Sequence, residues 1–281
     1  MLVLPKAVAL RIFRAGTLSV GLRLVVSPSS ATRSYTYFPQ QTTRCTSRRN
    51  MSSSVEGQGE GLPEQKKAMR KRIKLELKAM SEGAVDAASA AVAERLLACP
   101  QLQQGSTGEG AVSVYLSMPG ELGTAAIVSG LFNLGKKVYI PKVTGWRSAD
   151  MRMFPLQSEV EIASFPLTKW KIPEPSEDLA LSREDGVLEG DIGVVVVPAV
   201  AFDSACNRLG HGRGHYDCFF ERVNKASKDK GRPPPVRMGV CFDEQVVNCV
   251  PTGSSDVPLD LVLTPTRTFR RHPEVASTEH S

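Results

Sequence analysis

The segment N-R-L-G-H-G-R-G-H-Y-D, residues 207–217, places three glycines among polar and basic side chains. Glycine permits positive φ and lets the backbone approach a ligand closely, so successive amides of this segment could line an anion-binding concavity. Arg208 and Arg213 would neutralise phosphate oxygens. These residue types at this spacing predict a polyphosphate site.

Glycine spacing alone leaves a simple flexible turn as an equally good interpretation. The P-loop pattern G-x-x-x-x-G-K-[ST] does not occur, and G-x-G-x-x-G fails because Asp217 stands where the third glycine should be. His211 and His215 are four residues apart, as in a helical zinc pair, but Gly212 and Gly214 disfavour a helix between them. Metal ligation by these histidines is therefore not expected.

Other side chains could take part in such chemistry. Lys66 and Arg70 are four residues apart in a strongly basic helical pattern and share one face of the predicted helix, although a solvated basic face is the common alternative. Glu121 lies in a loop after a predicted strand, where a solvated acid is the alternative. Trp170 and Tyr216 offer flat faces for stacking on rings, although isolated aromatic residues more often pack in a core.

The elements around these residues indicate a parallel α/β fold. Residues 192–200 form the most apolar run, with β-branched side chains at consecutive positions, and predict a strand buried on both faces. Residues 111–116, a helix from Thr124 to Leu134 and residues 137–141 have the strand, loop, helix, strand order of a parallel unit. Ligands bind beyond the carboxyl ends of such strands. Further strands are predicted at 151–156, 236–242 and 260–264, helices at 64–79, 81–98 and 216–226, and loops at 55–63, 157–190 and 228–235.

The full segment 207–217 resembles the C-terminal signature of the 5-formyltetrahydrofolate cyclo-ligase family, whose form is close to N-R-L-G-x-G-x-G-Y-Y-D. Three other motifs of that family have counterparts in the same order: the basic helix with Lys66 and Arg70, L-S-M-P-G-E-L-G-T at 116–124, and K-W-K-I-P-E-P at 169–175. The resemblance covers about residues 64–265. His211 and His215 depart from it, because many relatives carry a basic residue at the first position and tyrosine at the second.

The resemblance implies a fold, and together with the composition of the termini it gives a predicted domain organisation. The fold is a three-layer α/β sandwich with a mostly parallel central sheet flanked by helices, of the NagB/RpiA/CoA-transferase-like type. The predicted organisation is a disordered transit peptide over residues 1–55, a 5-formyltetrahydrofolate cyclo-ligase domain over 56–266 and a disordered tail over 267–281.

The resemblance also implies a reaction, the ATP-dependent conversion of 5-formyltetrahydrofolate to 5,10-methenyltetrahydrofolate, through phosphorylation of the formyl oxygen and attack by N10. ATP would be the co-substrate and Mg²⁺ the metal. Lys66 and Arg213 would be catalytic, and Asp217 and Asp256 would hold the metal. ATP would be bound by Lys66, Lys67, Arg70, Arg208, Leu209, Gly210, His211, Gly212, Arg213, Gly214, His215 and Tyr216. The folate would be bound by Arg70, Leu116, Glu121, Trp170, His211, Gly212, Arg213, Gly214 and His215.

The charge of the chain is concentrated at its start. Residues 1–55 contain eight Lys or Arg residues and no Asp or Glu, whereas the rest of the chain has a net charge of −2. An Arg-rich, Ser/Thr-rich, acid-free segment is typical of a transit peptide and favours the mitochondrial matrix. The alternatives are a chloroplast address, a cytosolic form starting at Met51 and a disordered tail with no address. Arginines interrupt every apolar run, which argues against a secretory signal or a membrane span.

Two other classes of protein remain open on the sequence. One is a non-catalytic relative of the family that binds RNA or protein, and the other is a different ATP-dependent kinase or ligase on the same sheet. The slightly acidic balance of residues 56–281 disfavours nucleic-acid binding. We expect a monomer with a small-molecule partner and no membrane association.

Overall fold

The apolar run predicted as a buried strand forms β4 (Ile192–Val197), the middle strand of a seven-stranded sheet. The computed structural model describes residues 61–103, 110–169 and 171–271. From edge to edge the sheet contains β10 (Thr268–Arg270), β9 (Leu261–Leu263), β7 (Val236–Val240), β4, β1 (Ala111–Ser113), β2 (Val138–Val143) and β3 (Met151–Leu156). The strands from β9 to β2 are parallel, and the two edge strands run antiparallel to their neighbours.

Helices cover both faces of this sheet, and a small second sheet lies beside it. The helices are α1 (Leu62–Lys78), α2 (Glu82–Leu97), α3 (Ala125–Asn133), α4 (Glu177–Ser182), α5 (Gly186–Glu189) and α6 (His215–Asp229). Short 3₁₀ helices occur at Pro100–Leu102, Glu159–Ser164 and Asp243–Gln245. The small sheet consists of β5 (Ala201–Asp203) between the antiparallel β6 (Arg208–Leu209) and the parallel β8 (Val246–Val247).

The side chains of β4 divide the core into two layers. Because successive residues of a strand point to opposite faces, Val194 and Val196 pack in the cluster that contains α2 and α3 residues. Val195 and Val197 pack in the cluster that contains Tyr139 and the aromatic residues of α6. The sheet is therefore covered on both faces, and the predicted three-layer, mostly parallel architecture is confirmed.

Helix α1 packs against the small sheet, and its Leu77 also contacts the core on one face of the large sheet. Ile73, which is 1% exposed, packs with Val200, Leu209 and Val250 in a separate cluster. This contact fixes the basic helix next to β6, the strand that precedes the glycine segment. The packing of Ile73 thus positions the cations of α1 near that segment.

The helix boundaries follow the sequence signals with small differences. Helix α1 begins at Leu62, inside the segment predicted as a linker. Ser81 caps α2 by accepting a hydrogen bond from the Ala84 amide at 3.3 Å. Thr124 occupies the N-cap position of α3, but its hydroxyl donates to the Tyr115 carbonyl at 2.7 Å instead of capping the helix.

Two segments contain more structure than the sequence indicated. Residues 157–190, predicted as loop, include α4, α5 and a 3₁₀ helix. Residues 268–270, assigned to a disordered tail, pair with β9 as β10, because Phe269 gains partly buried packing at the sheet edge. The folded part therefore extends at least to Arg271. The predicted transit peptide, the rest of the tail and Trp170 lie outside the described residues. None of the helices within the described ranges is long and apolar enough to cross a membrane.

Candidate active site

A pocket of about 620 Å³ opens beyond the carboxyl ends of β1, β2 and β4. This is the edge at which parallel sheets bind ligands, and the volume is in the range of small-molecule sites. Tyr115, Ile140 and Pro198 line it at the strand ends. The remaining lining comes from α1, the loop after β1, residues 172–174, the glycine segment with the first turn of α6, and residues 255–256.

The glycine segment turns sharply between β6 and α6. Gly212 and Gly214 have φ angles of +100° and +70°, which L side chains rarely adopt, so the turn itself requires glycine at both positions. Gly214 is the N-cap of α6, and the first residues of this helix line the pocket with the positive end of its dipole. Arg70 Nε donates to the Gly210 carbonyl at 2.8 Å and ties α1 to the turn.

Arg208 and Asp217 form an ion pair at the base of this turn. Arg208 Nη2 lies 2.5 Å from Asp217 Oδ1, and the arginine side chain is 6% exposed. The guanidinium also lies over the rings of Tyr216 and Phe220, at 5.7 and 5.4 Å from their centroids. One of the two predicted metal ligands is therefore bonded to a buried cation.

Lys66 and Asp256 form a second ion pair at the pocket. Their Nζ and Oδ2 atoms are 2.6 Å apart, and the side chains are 19% and 23% exposed. Burial alone would raise the pKa of Asp256, but the Gly253 amide and the Lys66 ammonium outweigh it and lower that pKa. Asp256 is thus held ionised beside the predicted phosphate-binding lysine.

Glu121 contributes a carboxyl group with a raised pKa to the pocket. Its Oε2 accepts a hydrogen bond from the Met118 amide at 3.1 Å. Burial raises the pKa of Glu121 from 4.5 to about 7, against the opposing effect of that amide. Burial and then the charge of Glu121 also raise the pKa of Tyr216, which lines the same pocket. A carboxyl group that titrates near neutral pH can accept hydrogen bonds from ring N–H groups or exchange a proton with a ligand.

The two histidines of the glycine segment occupy different environments. Burial, and then the charges of Arg70 and Lys74, lower the pKa of His211, so its imidazole is neutral at pH 7. His215 Nδ1 lies 3.2 Å from the Ser148 carbonyl oxygen, so the loop between β2 and β3 contacts the first turn of α6. His211 therefore adds no full positive charge to the turn, and His215 joins two walls of the site.

The described residues do not contain a preformed metal cage. No group of three or more His, Cys, Asp or Glu side chains within them could hold a metal ion. Asp217 and Asp256 both line the pocket, and the Val257 amide lies 3.4 Å from Asp217 Oδ1, so the two carboxylates belong to adjoining parts of one wall. Mg²⁺ commonly binds through one or two carboxylates together with substrate phosphates and water. The donor set fits a cation that arrives with a polyphosphate.

The structure brings nearly all of the predicted site residues into this one pocket. Lys66, Arg70, Leu116, Glu121, Asp256 and residues 208–217 all line it. Lys67 is the exception among the described residues: it is exposed on α1 and is not part of the lining. Trp170 is outside the described residues, although its neighbours Ile172, Pro173 and Glu174 border the pocket.

Sequence reasoning missed an apolar wall and an ion pair on the other side. Ile140, Pro141, Val143 and Met151 line the pocket from β2 and β3. Glu174, also a lining residue, pairs with Lys142 at 2.7 Å. The apolar side chains and Lys142 lie at or next to the ends of predicted strands. That position was the sequence signal that could have placed them at the pocket.

Comparisons with known proteins place the chain among folate enzymes. The model of the 5-formyltetrahydrofolate cyclo-ligase family matches residues 63–265. A mouse protein named 5-formyltetrahydrofolate cyclo-ligase is 31% identical over 198 residues, which cover 70% of this chain and 92% of the mouse protein. An Arabidopsis thaliana protein named as the mitochondrial form is 27% identical, over 76% of this chain and 80% of that protein.

A solved structure has the same fold. The NMR structure of Aquifex aeolicus 5,10-methenyltetrahydrofolate synthetase superimposes with a TM-score of 0.56 and 25% identity. The match covers 76% of this chain and 99% of the Aquifex chain.

Proposed function

The chain belongs to the 5-formyltetrahydrofolate cyclo-ligase family, and from this premise we propose that it catalyses the ATP-dependent cyclisation of 5-formyltetrahydrofolate to 5,10-methenyltetrahydrofolate. The observation that carries the proposal is that one cavity joins a cationic glycine turn to a buried carboxyl group and an apolar wall. The first suits a triphosphate, and the second suits a flat ring with N–H groups.

The proposed reaction has two chemical steps. The formyl oxygen attacks the γ-phosphorus of ATP, the bond to the bridging oxygen breaks, and ADP leaves. N10 then attacks the activated formyl carbon, the carbon–oxygen bond breaks with release of phosphate, and N10 loses its proton. Because the first step is mainly a matter of positioning and charge stabilisation, it needs cations and amides aimed at the phosphates.

The phosphate end of the pocket supplies these groups. In the proposal, Lys66 and Arg213 stabilise the transferring phosphoryl group, while Arg70 and the amides of residues 209–216 bind the triphosphate. A bound Mg²⁺ would offset charge on the phosphate oxygens, and Asp217 and Asp256 are the residues that would hold it. Lys67 is exposed and outside the pocket lining, and we assign it no direct contact.

The other end of the pocket would hold the folate. Glu121 is suited to accept hydrogen bonds from pterin N–H groups, and the apolar side chains Leu116, Ile140 and Met151 exclude water around the ring. Trp170 and Tyr216 would contribute ring faces. With the triphosphate held at one end of the cavity and the folate ring at the other, the formyl oxygen would face the glycine turn.

The N-terminal segment suggests where the reaction takes place. We propose that residues 1–55 are a mitochondrial transit peptide, supported by their acid-free, Arg-rich composition. The mitochondrial name of the Arabidopsis relative is consistent with this address. Import of the full chain into isolated mitochondria, with shortening of the product, tests it; a chain that stays outside would refute it.

The activity is tested by following the near-ultraviolet absorbance of the methenyl product. Purified protein with 5-formyltetrahydrofolate should form it only when both ATP and Mg²⁺ are present. Lys66→Ala should lose about 100-fold or more in kcat/KM, on the scale of removing a charge-stabilising group. Lys67→Ala is the matched control, because the adjacent lysine is exposed and outside the pocket. Full activity of Lys66→Ala would refute the assignment of the site, and no product from the parent protein would refute the activity.

A further inference from the structure

Arg208 is the most buried cation of the candidate site. Its side chain is 6% exposed, whereas that of its partner Asp217 is 26% exposed. Its guanidinium forms an ion pair with Asp217 and lies over the rings of Tyr216 and Phe220. A planar, delocalised cation held in this way has a fixed orientation.

The glycine turn lies directly against this guanidinium. A Cβ atom added to Gly210 would stand 3.2 Å from Arg208 Nη1. Gly210 therefore leaves room for the arginine beneath the turn. Arg70, by contrast, contacts the turn from α1, and Arg213 is exposed and lines the pocket.

The contacts of Asp217 are concentrated on one of its two oxygens. Arg208 Nη2 and the Val257 amide both approach Oδ1, at 2.5 and 3.4 Å. Within the described residues no hydrogen bond or ion pair is made to Oδ2. The arginine thus fixes the carboxylate through one oxygen and leaves the other for a ligand.

We propose that Arg208 is a positioning residue: it orients Asp217 to receive the cation that accompanies a nucleotide, and it does not itself bind the phosphates. This inference rests on the proposed function and departs from the expectation, drawn from the sequence motif, that Arg208 contacts ATP. The direct phosphate cations are then Lys66, Arg70 and Arg213. Removing an outer partner of a metal ligand typically weakens metal affinity about 10- to 100-fold.

The test separates a metal-mediated effect from a direct phosphate contact. The dissociation constant of ADP is measured by calorimetry with and without Mg²⁺, for the parent and for Arg208→Gln. We expect the Mg²⁺-free affinity to change less than about twofold, and the tightening by Mg²⁺ to shrink by about 10- to 100-fold. Equal weakening with and without Mg²⁺ would show a direct contact and overturn the proposal. So would an unchanged effect of Mg²⁺.

Two further variants control for folding. Arg237 lies over the same Phe220 ring at 5.7 Å and pairs with Asp260, but it is not part of the pocket lining. Arg237→Gln should therefore leave both ADP dissociation constants unchanged. If Arg208→Gln does not fold, Arg208→Lys keeps the charge but loses the fork geometry, and it should reduce the Mg²⁺ effect without reducing Mg²⁺-free binding; the opposite result overturns the proposal. A parent protein that binds no ADP under any condition would instead refute the proposed function.

Discussion

Lys66 Nζ lies 2.6 Å from Asp256 Oδ2, and this ion pair joins residues 190 positions apart in the chain. In the free protein a proposed phosphate-binding cation and a proposed metal-binding carboxylate therefore neutralise each other. Asp256 Oδ2 also accepts a hydrogen bond from the Gly253 amide at 2.6 Å. This bond would hold the carboxylate in place if Lys66 moved to a phosphate. If a nucleotide binds with its cation as proposed, both side chains would exchange partners.

The variant Asp256→Asn tests this exchange. It releases Lys66, so a non-hydrolysable ATP analogue should bind about two- to fivefold more tightly without Mg²⁺, the scale of a partly exposed ion pair. Binding in the presence of Mg²⁺ should weaken, because a metal ligand is lost. Titration of the analogue with and without Mg²⁺ measures both effects.

The control for Asp256→Asn is Glu174→Gln. Glu174 pairs with Lys142 at 2.7 Å, its ion pair is similarly exposed, and it lines the same pocket. The control removes the same unit of negative charge but no proposed metal ligand. It should therefore leave the dependence of nucleotide binding on Mg²⁺ unchanged. Weaker Mg²⁺-free binding by Asp256→Asn would contradict partner exchange.

The raised pKa of Glu121 predicts a pH-dependent stability. Since burial raises this pKa from 4.5 to about 7, the folded protein binds the proton more tightly than the unfolded chain. The favourable contribution is complete below pH 4.5 and is lost as the pH rises through 7. Glu121→Gln cannot ionise, so its free energy of unfolding relative to the parent should rise by about 3 kcal/mol between pH 4 and pH 8.

Denaturant unfolding of both proteins across this range measures the difference. Other titrating groups are common to the two proteins and cancel in the comparison. A difference that stays flat from pH 4 to pH 8 would mean that Glu121 is not desolvated in the pocket. Glu121→Gln should also weaken folate binding most above pH 7, where the parent carboxyl group is ionised and accepts hydrogen bonds.

Short-range patterns in the sequence predicted much of this arrangement. The β-branched run predicted β4, the basic helical pattern predicted α1, and the glycine segment was expected to form a phosphate-binding turn at the carboxyl ends of the strands. The turn does lie at the carboxyl edge of the sheet, beside a cavity that also contains Glu121. The positions of β4, α1 and the turn could be predicted because they depend on periodicity and on the backbone freedom of glycine, which are local properties. Phosphate binding by the turn stays a prediction.

The pairing of charged residues could not be predicted in the same way. Arg208 faces Asp217 because the hairpin of β5 and β6 turns the chain back, with Cys206 at a φ of +63° that no local sequence signal indicated. The Lys66–Asp256 pair depends on the packing of Ile73 against the small sheet. The burial that raises the pKa of Glu121 is likewise a property of the assembled pocket and not of its own segment.

The backbone of the glycine turn gives a third prediction. Gly214 has a φ of +70°, and a Cβ atom added there would meet Ser148 Cβ at an ordinary contact distance of 3.7 Å. Gly214→Ala should cost about 1 kcal/mol in stability through backbone strain, and it should weaken nucleotide binding because the amides of the turn shift.

Gly135 provides a matched control for that strain. Its φ of +68° is nearly the same, it has open space around it, and it lies after α3 outside the pocket. Gly135→Ala should therefore lose similar stability by thermal unfolding while keeping the parent dissociation constant for ADP. Equal ADP affinities for the two variants would show that the turn does not hold the phosphates.

The docking of α1 gives the last prediction. Ile73 is 1% exposed and anchors the helix that carries Lys66 and Arg70. Ile73→Ala should reduce the free energy of unfolding by about 2–5 kcal/mol, and hydrogen exchange should show α1 losing protection before β4 does. ADP affinity should fall with it, since the cations are no longer held at the turn.

Leu75→Ala, at a position 62% exposed on the same helix, should change stability by less than about 0.5 kcal/mol and leave ADP binding intact. Parent-like ADP affinity in Ile73→Ala, together with an unprotected α1, would mean that this helix does not contribute to the nucleotide site.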